Sequence, residues 1–289
     1  MTARGAPCPV GVVVITRNRR ESLLRTLRHL ARLPEKPQVV VVDNASADGT
    51  PQAVRQAHPA VRVLGLGSNR GAAARNTGAA ALTTPLIAFC DDDSWWAPHA
   101  LDAAAGHFAR HPRLGLLAAA VRVGPDEQPD PLDSALAAAP LGRSPDLPGP
   151  SVLGFLACAA VVRREAFLDA GGFLPMLRIG GEEALLALDL AAAGWGLAYC
   201  PDVIAHHHPH PGPRTGRSAL QHRNRLLTAW LRRPLPYALR ATARLARDAS
   251  EDPQARRALL SALLRLPDVV RHRAPLPPWV ERSARLLDD

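Results

Sequence analysis

Lysine is almost missing from this 289-residue chain: Lys36 is the only one among 35 basic residues. Near-total use of arginine, with abundant Ala and Pro, reads as a compositional bias, so a pI of 10.7 is weak evidence for nucleic acid. Long apolar runs are also missing. A spanning helix needs ~18 unbroken apolar residues, and the longest run, Val152–Val162, has 11 and contains a glycine. MTARGAPCPV has no long apolar region behind its arginine and does not read as a secretory leader. The expected location is therefore cytoplasmic, or peripheral at the inner face of a membrane. Cysteine is scarce and scattered: Cys8, Cys90, Cys158 and Cys200 form no CxxC pair, which argues against a zinc finger or a disulfide scaffold. Asn44-Ala45-Ser46 matches a glycosylation sequon and, with no leader, reads as chance.

What is present is a core-forming chain: 47% hydrophobic, 21% charged and only 4% aromatic. Disordered chains lack that apolar content. The length suits one large domain with an appendage. Charge divides the same way. Residues 1–213 carry 19 basic and 19 acidic side chains, whereas 214–289 carry 16 arginines and 7 acids, so the whole net charge of +9 sits in the tail. A neutral main body disfavours a nucleic-acid partner.

Apolar β-branched runs at 10–15, 39–42, 61–64, 85–90 and 114–123 alternate with helical patterns at 20–33, from 50 onward, at 71–80 and at 98–110. This predicts an α/β fold with a doubly wound, mostly parallel sheet covered on both faces. Thr16-Arg17-Asn18, Asp43-Asn44 and Asp91-Asp92-Asp93 each follow a strand, so right-handed crossovers bring them to the ligand-binding edge. Residues 124–150, rich in Pro, Gly and Asp, read as a long surface loop. Residues 151–162 and 195–199 read as strands and 182–193 as a helix. From 218 onward the chain is helical and Arg-rich, cut by prolines at 234, 236, 253, 267, 275, 277 and 278.

Three consecutive acids at a strand end repel one another. The usual compensation is a hard divalent cation, Mg²⁺ or Mn²⁺; the alternative is a solvated turn capping the next helix. Trp95 and Trp96 directly afterwards fit either a ligand wall or core. Asp43 suits a nucleobase or ribose, or equally a turn. Gly65-Leu66-Gly67-Ser68-Asn69-Arg70-Gly71 is a glycine-rich turn spaced GxGxxxG, a weak signal alone, with Arg70 and Arg75 able to face a ligand.

TRNR (16–19), VVDNASADGT (41–50), NRGAAARNTGA (69–79), LIAFCDDDSWW (86–96) and GGF…GGEEALLALDL (171–190) occur in this order. Together they closely resemble the family 2 inverting glycosyltransferases of GT-A fold, including rhamnosyltransferase-like bacterial members, over roughly residues 9–215. The resemblance implies a GT-A domain at 1–215 and an Arg-rich helical appendage at 216–289. It implies that Thr16, Arg17 and Asn18 line the nucleotide pocket, that Asp43, with Asn44, holds base or ribose, and that Asn69, Arg70 and Arg75 frame the donor. Asp91, Asp92 and Asp93 become the DxD segment, with Asp91 and Asp93 towards Mn²⁺ or Mg²⁺. Glu182-Glu183 takes the place of the acidic pair, with Glu183 as general base. Of His206, His207 and His208, His206 is the favoured histidine for the metal or diphosphate. Three positions depart from the family pattern: Leu185 replaces an acid, Asp189 stands where a basic residue is usual, and Glu183 is one methylene longer than the usual Asp.

The expected reaction moves a sugar from a nucleoside-diphosphate sugar to a hydroxyl of a glycan, lipid-linked or small-molecule acceptor. A divalent ion stabilises the leaving diphosphate and one carboxylate takes the acceptor proton. The alternatives are a nucleotidyltransferase, which would have to hold a triphosphate with Arg17 or Arg19, and a non-catalytic nucleotide-sugar-binding module. The tail reads either as a solvated helical cap or as a membrane platform, with Leu226, Leu227, Trp230 and Leu231 against lipid and Arg232, Arg233 and Arg240 on anionic head groups.

Overall fold

A computed structural model describes residues 7–210 and 217–288. In chain order, β1 (Val10–Thr16), α1 (Arg20–Ala31), β2 (Val39–Asp43), α2 (Thr50–Ala57), β3 (Arg62–Gly65), α3 (Ala74–Ala81) and β4 (Leu86–Asp91) form the nucleus. Then come β5 (Ser94–Trp96), α4 (Ala100–Arg110), β6 (Leu114–Val123), β7 (Gln128–Pro129), α5 (Pro131–Ala137), β8 (Ala160–Arg163), α6 (Arg164–Asp169), α7 (Glu182–Ala192) and β9 (Gly196–His207). Helices α8 (Arg217–Arg232), α9 (Leu235–Asp248), α10 (Pro253–Leu263), α11 (Leu266–His272) and α12 (Pro278–Arg285) follow.

The strands make one sheet in the order β3-β2-β1-β4-β8-β6-β9-β5, with β7 on β6. From β3 to β4 every pairing is parallel. Strand β8 enters antiparallel to both β4 and β6, and β9 runs parallel to β6. The α/β class therefore holds, while the parallel character is confined to β3–β4 and the β6/β9 pair. Every residue of β1 is buried, because helices cover both faces. Val10, Val12 and Val14 pack with Leu23, Leu27 and Leu30 of α1 on one face; Val13 and Ile15 pack with Ala74 and Ala79 of α3 on the other. That split is the period-two alternation of a strand. Helix α3 sits very close to the sheet, since a Cβ at Gly78 would lie 2.5 Å from Val13 Cγ1.

The later elements depart from the sequence reading. The 124–150 segment is not bare loop: it holds β7 and α5, and Asp130 caps α5 by accepting from the Leu132 N–H at 2.9 Å. Of the strand expected at 151–162, only Ala160–Arg163 pairs as a strand, preceded by a 3₁₀ turn at Ala157–Ala159. The strand expected at 195–199 continues to His207. Its register with β6 slips between Cys200 and Ile204, the stretch holding Pro201, which lacks a ladder N–H. Cys90, Cys158 and Cys200 are buried free thiols, and both Trp95 and Trp96 are core.

Leu226, Leu227, Trp230 and Leu231, expected against lipid, are buried in a cluster that joins α8–α11 to Leu177 and Leu185. Val280 and Ala284 of α12 return to the sheet's own core. Arg232 and Arg233 are likewise committed inside, to Asp189 and to Glu281 with Asp288. The boundary expected at 215/216 lies outside the described residues. No helix among the described residues is long and apolar enough to cross a membrane.

Candidate functional site

Parallel β1, β2 and β4 end side by side, Thr16 opposite Asp43 and Ile15 opposite Asp91. The loops beyond them enclose a cavity of about 310 Å³, lined by Thr16, Arg17, Asn44, Asn69, the acids Asp91–Asp93 and, from a distant segment, Arg178.

The acid turn is compensated from several sides. Asp91 is paired with Arg75. Asp92 accepts from the Thr16 hydroxyl at 2.9 Å and lies 3.3 Å from Arg19 Nε. Asp93 accepts from Arg19 Nη2 at 2.8 Å. Burial pushes the Asp92 carboxyl up to about 7, with Asp93 and Asp91 adding to the rise and Arg19 opposing it. Asp43 is 2% exposed; its Oδ2 accepts from the Ser46 N–H at 2.9 Å, while its buried Oδ1 has no protein partner.

Two of the expected pocket residues are spent on the walls. Asn18, with φ +52°, accepts from the Ala47 N–H at 2.8 Å and so ties the β1 loop to the β2 loop. Asn44 accepts from the Arg70 N–H at 3.0 Å and donates to the Gly71 carbonyl at 3.2 Å, fixing the glycine-rich turn. In that turn Asn69 accepts from the Gly71 N–H at 2.8 Å. Gly71 has φ +61°, and a Cβ there would meet the Arg178 carbonyl at 2.5 Å. The Arg178 carbonyl accepts from the Ala72 N–H at 2.6 Å, closing segment 177–181 over the cavity. Arg70 is exposed and does not line the cavity. Arg178 has no signal in the motif reading; the Gly180-Gly181 pair beside it, at φ +95° and +92°, is the feature that betrays a tight crossing.

Arg75 is 2% exposed and packs 5.4 Å from the Phe173 ring centroid. Asp91, Glu182 and Glu183 all bear on its charge, so one buried guanidinium gathers the acid turn and the acidic pair. Glu182 and Glu183 open α7, where the helix dipole favours carboxylates. Burial still dominates. It pushes Glu182 up to about 7, with Glu183 adding and Arg75 opposing. It also raises Glu183, against Arg75 and with Asp91 adding. Glu182 Oε2 is buried without a protein partner. Asp189 is turned away to α8, accepting from Arg232 Nη2 at 3.0 Å.

The histidine run divides by strand alternation. His206 sits opposite Trp95 in the β5/β9 ladder, stacks on it at 5.6 Å, and meets Glu127 at 2.8 Å through Nδ1. His207, on the other face, brings Nε2 to 3.5 Å from Asp93 Oδ1. His208 lies 4.6 Å from Trp95. The carboxylates and this imidazole form a hard oxygen-and-nitrogen donor set that fits Mn²⁺ or Mg²⁺.

Comparison with known proteins agrees with this geometry. The family model for glycosyl transferase family 2 matches residues 11–171. The N-acetylglucosaminyl-diphospho-decaprenol L-rhamnosyltransferase of Mycobacterium tuberculosis is 29% identical over 274 residues, spanning 80% of this chain and 89% of that protein. The pre-mycofactocin glycosyltransferase of the same organism is 35% identical over 206 residues, 69% of this chain and 43% of that one. Among solved structures, the mannosyltransferase PcManGT from Pyrobaculum calidifontis, in complex with GDP-Man and Mn²⁺, superposes with a TM-score of 0.59 at 25% identity, covering 98% of this chain and 76% of that one. The chain belongs to glycosyl transferase family 2 and is a glycosyltransferase of GT-A fold.

Proposed function

We propose that the chain transfers a sugar from a nucleoside-diphosphate sugar to a hydroxyl of a lipid-linked diphosphate acceptor, with inversion at the anomeric carbon, as a cytoplasmic or peripherally membrane-bound protein. The observation that carries the reading is Arg75, which pairs with Asp91 and is flanked by Glu182 and Glu183.

Thr16, Arg17 and the buried, unpartnered Oδ1 of Asp43 offer contacts for base and ribose at the strand ends. Arg178 and Asn69 line the same cavity and suit the diphosphate. Asp91 and Asp93, with His207 in the role expected of His206, would hold Mn²⁺ or Mg²⁺. That ion, when bound, supplies Lewis-acid stabilisation of the charge developing on the leaving diphosphate. Glu183 takes the proton of the acceptor hydroxyl as that oxygen attacks the anomeric carbon. The proton moves to the Glu183 carboxylate, the bond from the anomeric carbon to the diphosphate oxygen breaks, and a nucleoside diphosphate leaves. One base and direct displacement need no nucleophilic side chain. The lipid-linked acceptor is favoured by the rhamnosyltransferase relative, whose acceptor is a decaprenol diphosphate saccharide by name.

The test begins with UDP-, GDP- and dTDP-sugars screened for Mn²⁺-dependent thermal stabilisation. The donor so found is then used with E183Q. Loss of a general base costs about 10²–10⁴-fold in rate, so kcat should fall into that range while donor Kd changes less than about threefold. A product with retained anomeric configuration by proton NMR, or E183Q turnover equal to wild type, would sink the reading.

A further inference from the structure

We propose that His107, Cys200 and Asp202 form a site for Zn²⁺ that ties helix α4 to strand β9, separate from the donor cavity.

Cys200 and Asp202 stand two apart on β9, in the stretch where its ladder with β6 slips. Helix α4 packs over this stretch: its Ala104 and Phe108 share a hydrophobic cluster with Cys200 and Val203. His107, in the last turn of α4, brings Nε2 to 2.7 Å from Asp202 Oδ2. One ligand atom from each residue, an imidazole nitrogen, a thiol sulfur and a carboxylate oxygen, lies within 4.8 Å of the other two. Zinc bonds of about 2.0–2.3 Å set such atoms ~3.3–3.6 Å apart in a tetrahedral complex. The trio reaches that spacing by side-chain adjustment of about 1–1.5 Å, with the His107–Asp202 contact opening as the thiol closes in.

Burial is graded across the three. Cys200 is 1% exposed, the His107 side chain 13% and the Asp202 side chain 58%. The thiol forms the floor and the carboxylate stands in solvent, which leaves an entry route and a fourth position for water.

None of the three lines the donor cavity, and the two donor sets differ in kind. Carboxylates dominate around the donor cavity and suit a hard ion. A thiolate with an imidazole selects a softer one, and thiolate, carboxylate and neutral imidazole together cancel the charge of Zn²⁺. The site also has a place in the fold. Helix α4 follows the acid turn and β5, and β9 runs on from Asp202 to His207, which faces Asp93. An ion between α4 and β9 cross-links the elements next to both.

Binding moves two protons. The Cys200 thiol gives its proton to solvent as the sulfur–zinc bond forms. Burial, with Asp202 adding, pushes that thiol up to about 12, so it is protonated at neutral pH and zinc uptake should release about one proton per ion. In the metal-free form Arg110 Nη2 lies 3.3 Å from His107 Nδ1, which leaves the ring proton on Nε2, towards Asp202. On binding, the proton passes by exchange with water to Nδ1, and the exposed Arg110 turns away.

The probe is Co²⁺, which takes tetrahedral zinc sites and, when bound by thiolate, adds a sulfur-to-metal charge-transfer band in the near ultraviolet. Titrated into the reduced, full-length protein, it should raise this band to saturation at one equivalent, and Zn²⁺ should bleach it. C200A should abolish the band. D202N and H107Q should weaken Co²⁺ binding at least about tenfold, since loss even of a supporting group costs that much, whereas R110Q should bind at least as tightly as wild type. D202N and H107Q remove a partly exposed pair worth little to stability, so in EDTA both should melt with wild type, which shows them folded. Absence of the band in wild type overturns the site. So does a band that survives C200A, which would place the thiolate elsewhere, or Co²⁺ affinity unchanged in D202N and H107Q. The titration needs no nucleotide sugar, so its outcome stands apart from that of the transfer reading.

Discussion

The side-chain amide of Asn224 donates to the Gly180 carbonyl at 2.8 Å and to the Leu177 carbonyl at 2.9 Å, from a position with no solvent exposure. Arg223 donates to the same Leu177 carbonyl at 2.7 Å and to Asn224 Oδ1. Burial, with Arg265 and Arg178 adding, pushes the Arg223 guanidinium down to about 10. Helix α8 thereby grips segment 177–181, the wall of the cavity that leads into the acidic pair. The appendage is part of the site's scaffold.

N224A should therefore cost both stability and turnover. An unsatisfied buried polar group costs about 1–3 kcal/mol; the Gly180 carbonyl loses its donor and Arg223 loses the Asn224 Oδ1 acceptor, while the Leu177 carbonyl keeps Arg223, so denaturant unfolding should show a loss of about 2–4 kcal/mol. If Asn224 positions the wall, kcat should fall more than donor KM rises, measured below the unfolding temperature. Unchanged turnover in a destabilised but folded variant would reduce the clamp to a packing contact.

Arg75 is the counter-charge of the whole carboxylate group. Removing one partner of a fully buried ion pair typically costs about 3–5 kcal/mol; the Asp91 side chain is 37% exposed, so R75M is expected to lose less than that at pH 8. The sign with pH follows from linkage. Arg75 opposes the upward shifts of Glu182 and Glu183, so its loss raises both further. The folded variant then binds more protons than the unfolded chain through the neutral range, and its stability falls as pH rises. At pH 5 the deficit against wild type should shrink. A deficit independent of pH, in parallel urea titrations at pH 5 and pH 8, would show that Arg75 acts by packing on Phe173 alone.

The N-terminal half was legible because its signals are local. Val10–Ile15 and Val39–Val42 are β-branched runs buried on both faces, and the polar residues that end them can only fall at one edge. The acid turn and the acidic pair were legible as motifs. What binds them together was not: the motif marks Arg75 as framing the donor, and only the fold sets it beside Glu183, 108 positions later in the chain. Arg178 and Asn224 act through backbone carbonyls, which leave no pattern in side-chain identity. In the tail, Leu226 and Leu231 share a helical stripe that suits either lipid or protein, the two readings the sequence leaves open, and only tertiary packing places these side chains in the core.

The acid limb of the rate profile is expected above the ordinary glutamate range. A general base works ionised, and burial raises both Glu182, to about 7, and Glu183, whereas an ordinary glutamate titrates near ~4.3. The kcat/KM should therefore still climb with pH above the ordinary glutamate range and level once the base is ionised. The pair titrates as a unit; removing one of the two charges with E182Q eases ionisation of the other, so the limb should move to lower pH. A limb at pH 4–5 in wild type, or no movement in E182Q, would count against Glu183 as the base.

The histidine assignment separates by strand parity. Neighbours on β9 point to opposite faces, so His206 stacks on Trp95 while His207 faces Asp93. Loss of a group that supports a metal site typically costs about 10–100-fold in metal affinity or activity. H207A is expected to raise the Mn²⁺ concentration for half-maximal activity by that factor. H206A, which removes the contact to Glu127 and the stacking on Trp95, should shift it less than about threefold. Metal titration of both variants at saturating donor decides the matter. A large shift in H206A with none in H207A would mean that β9 turns over by one residue when the ion binds, which would undo the register Trp95–His206 on which the assignment stands.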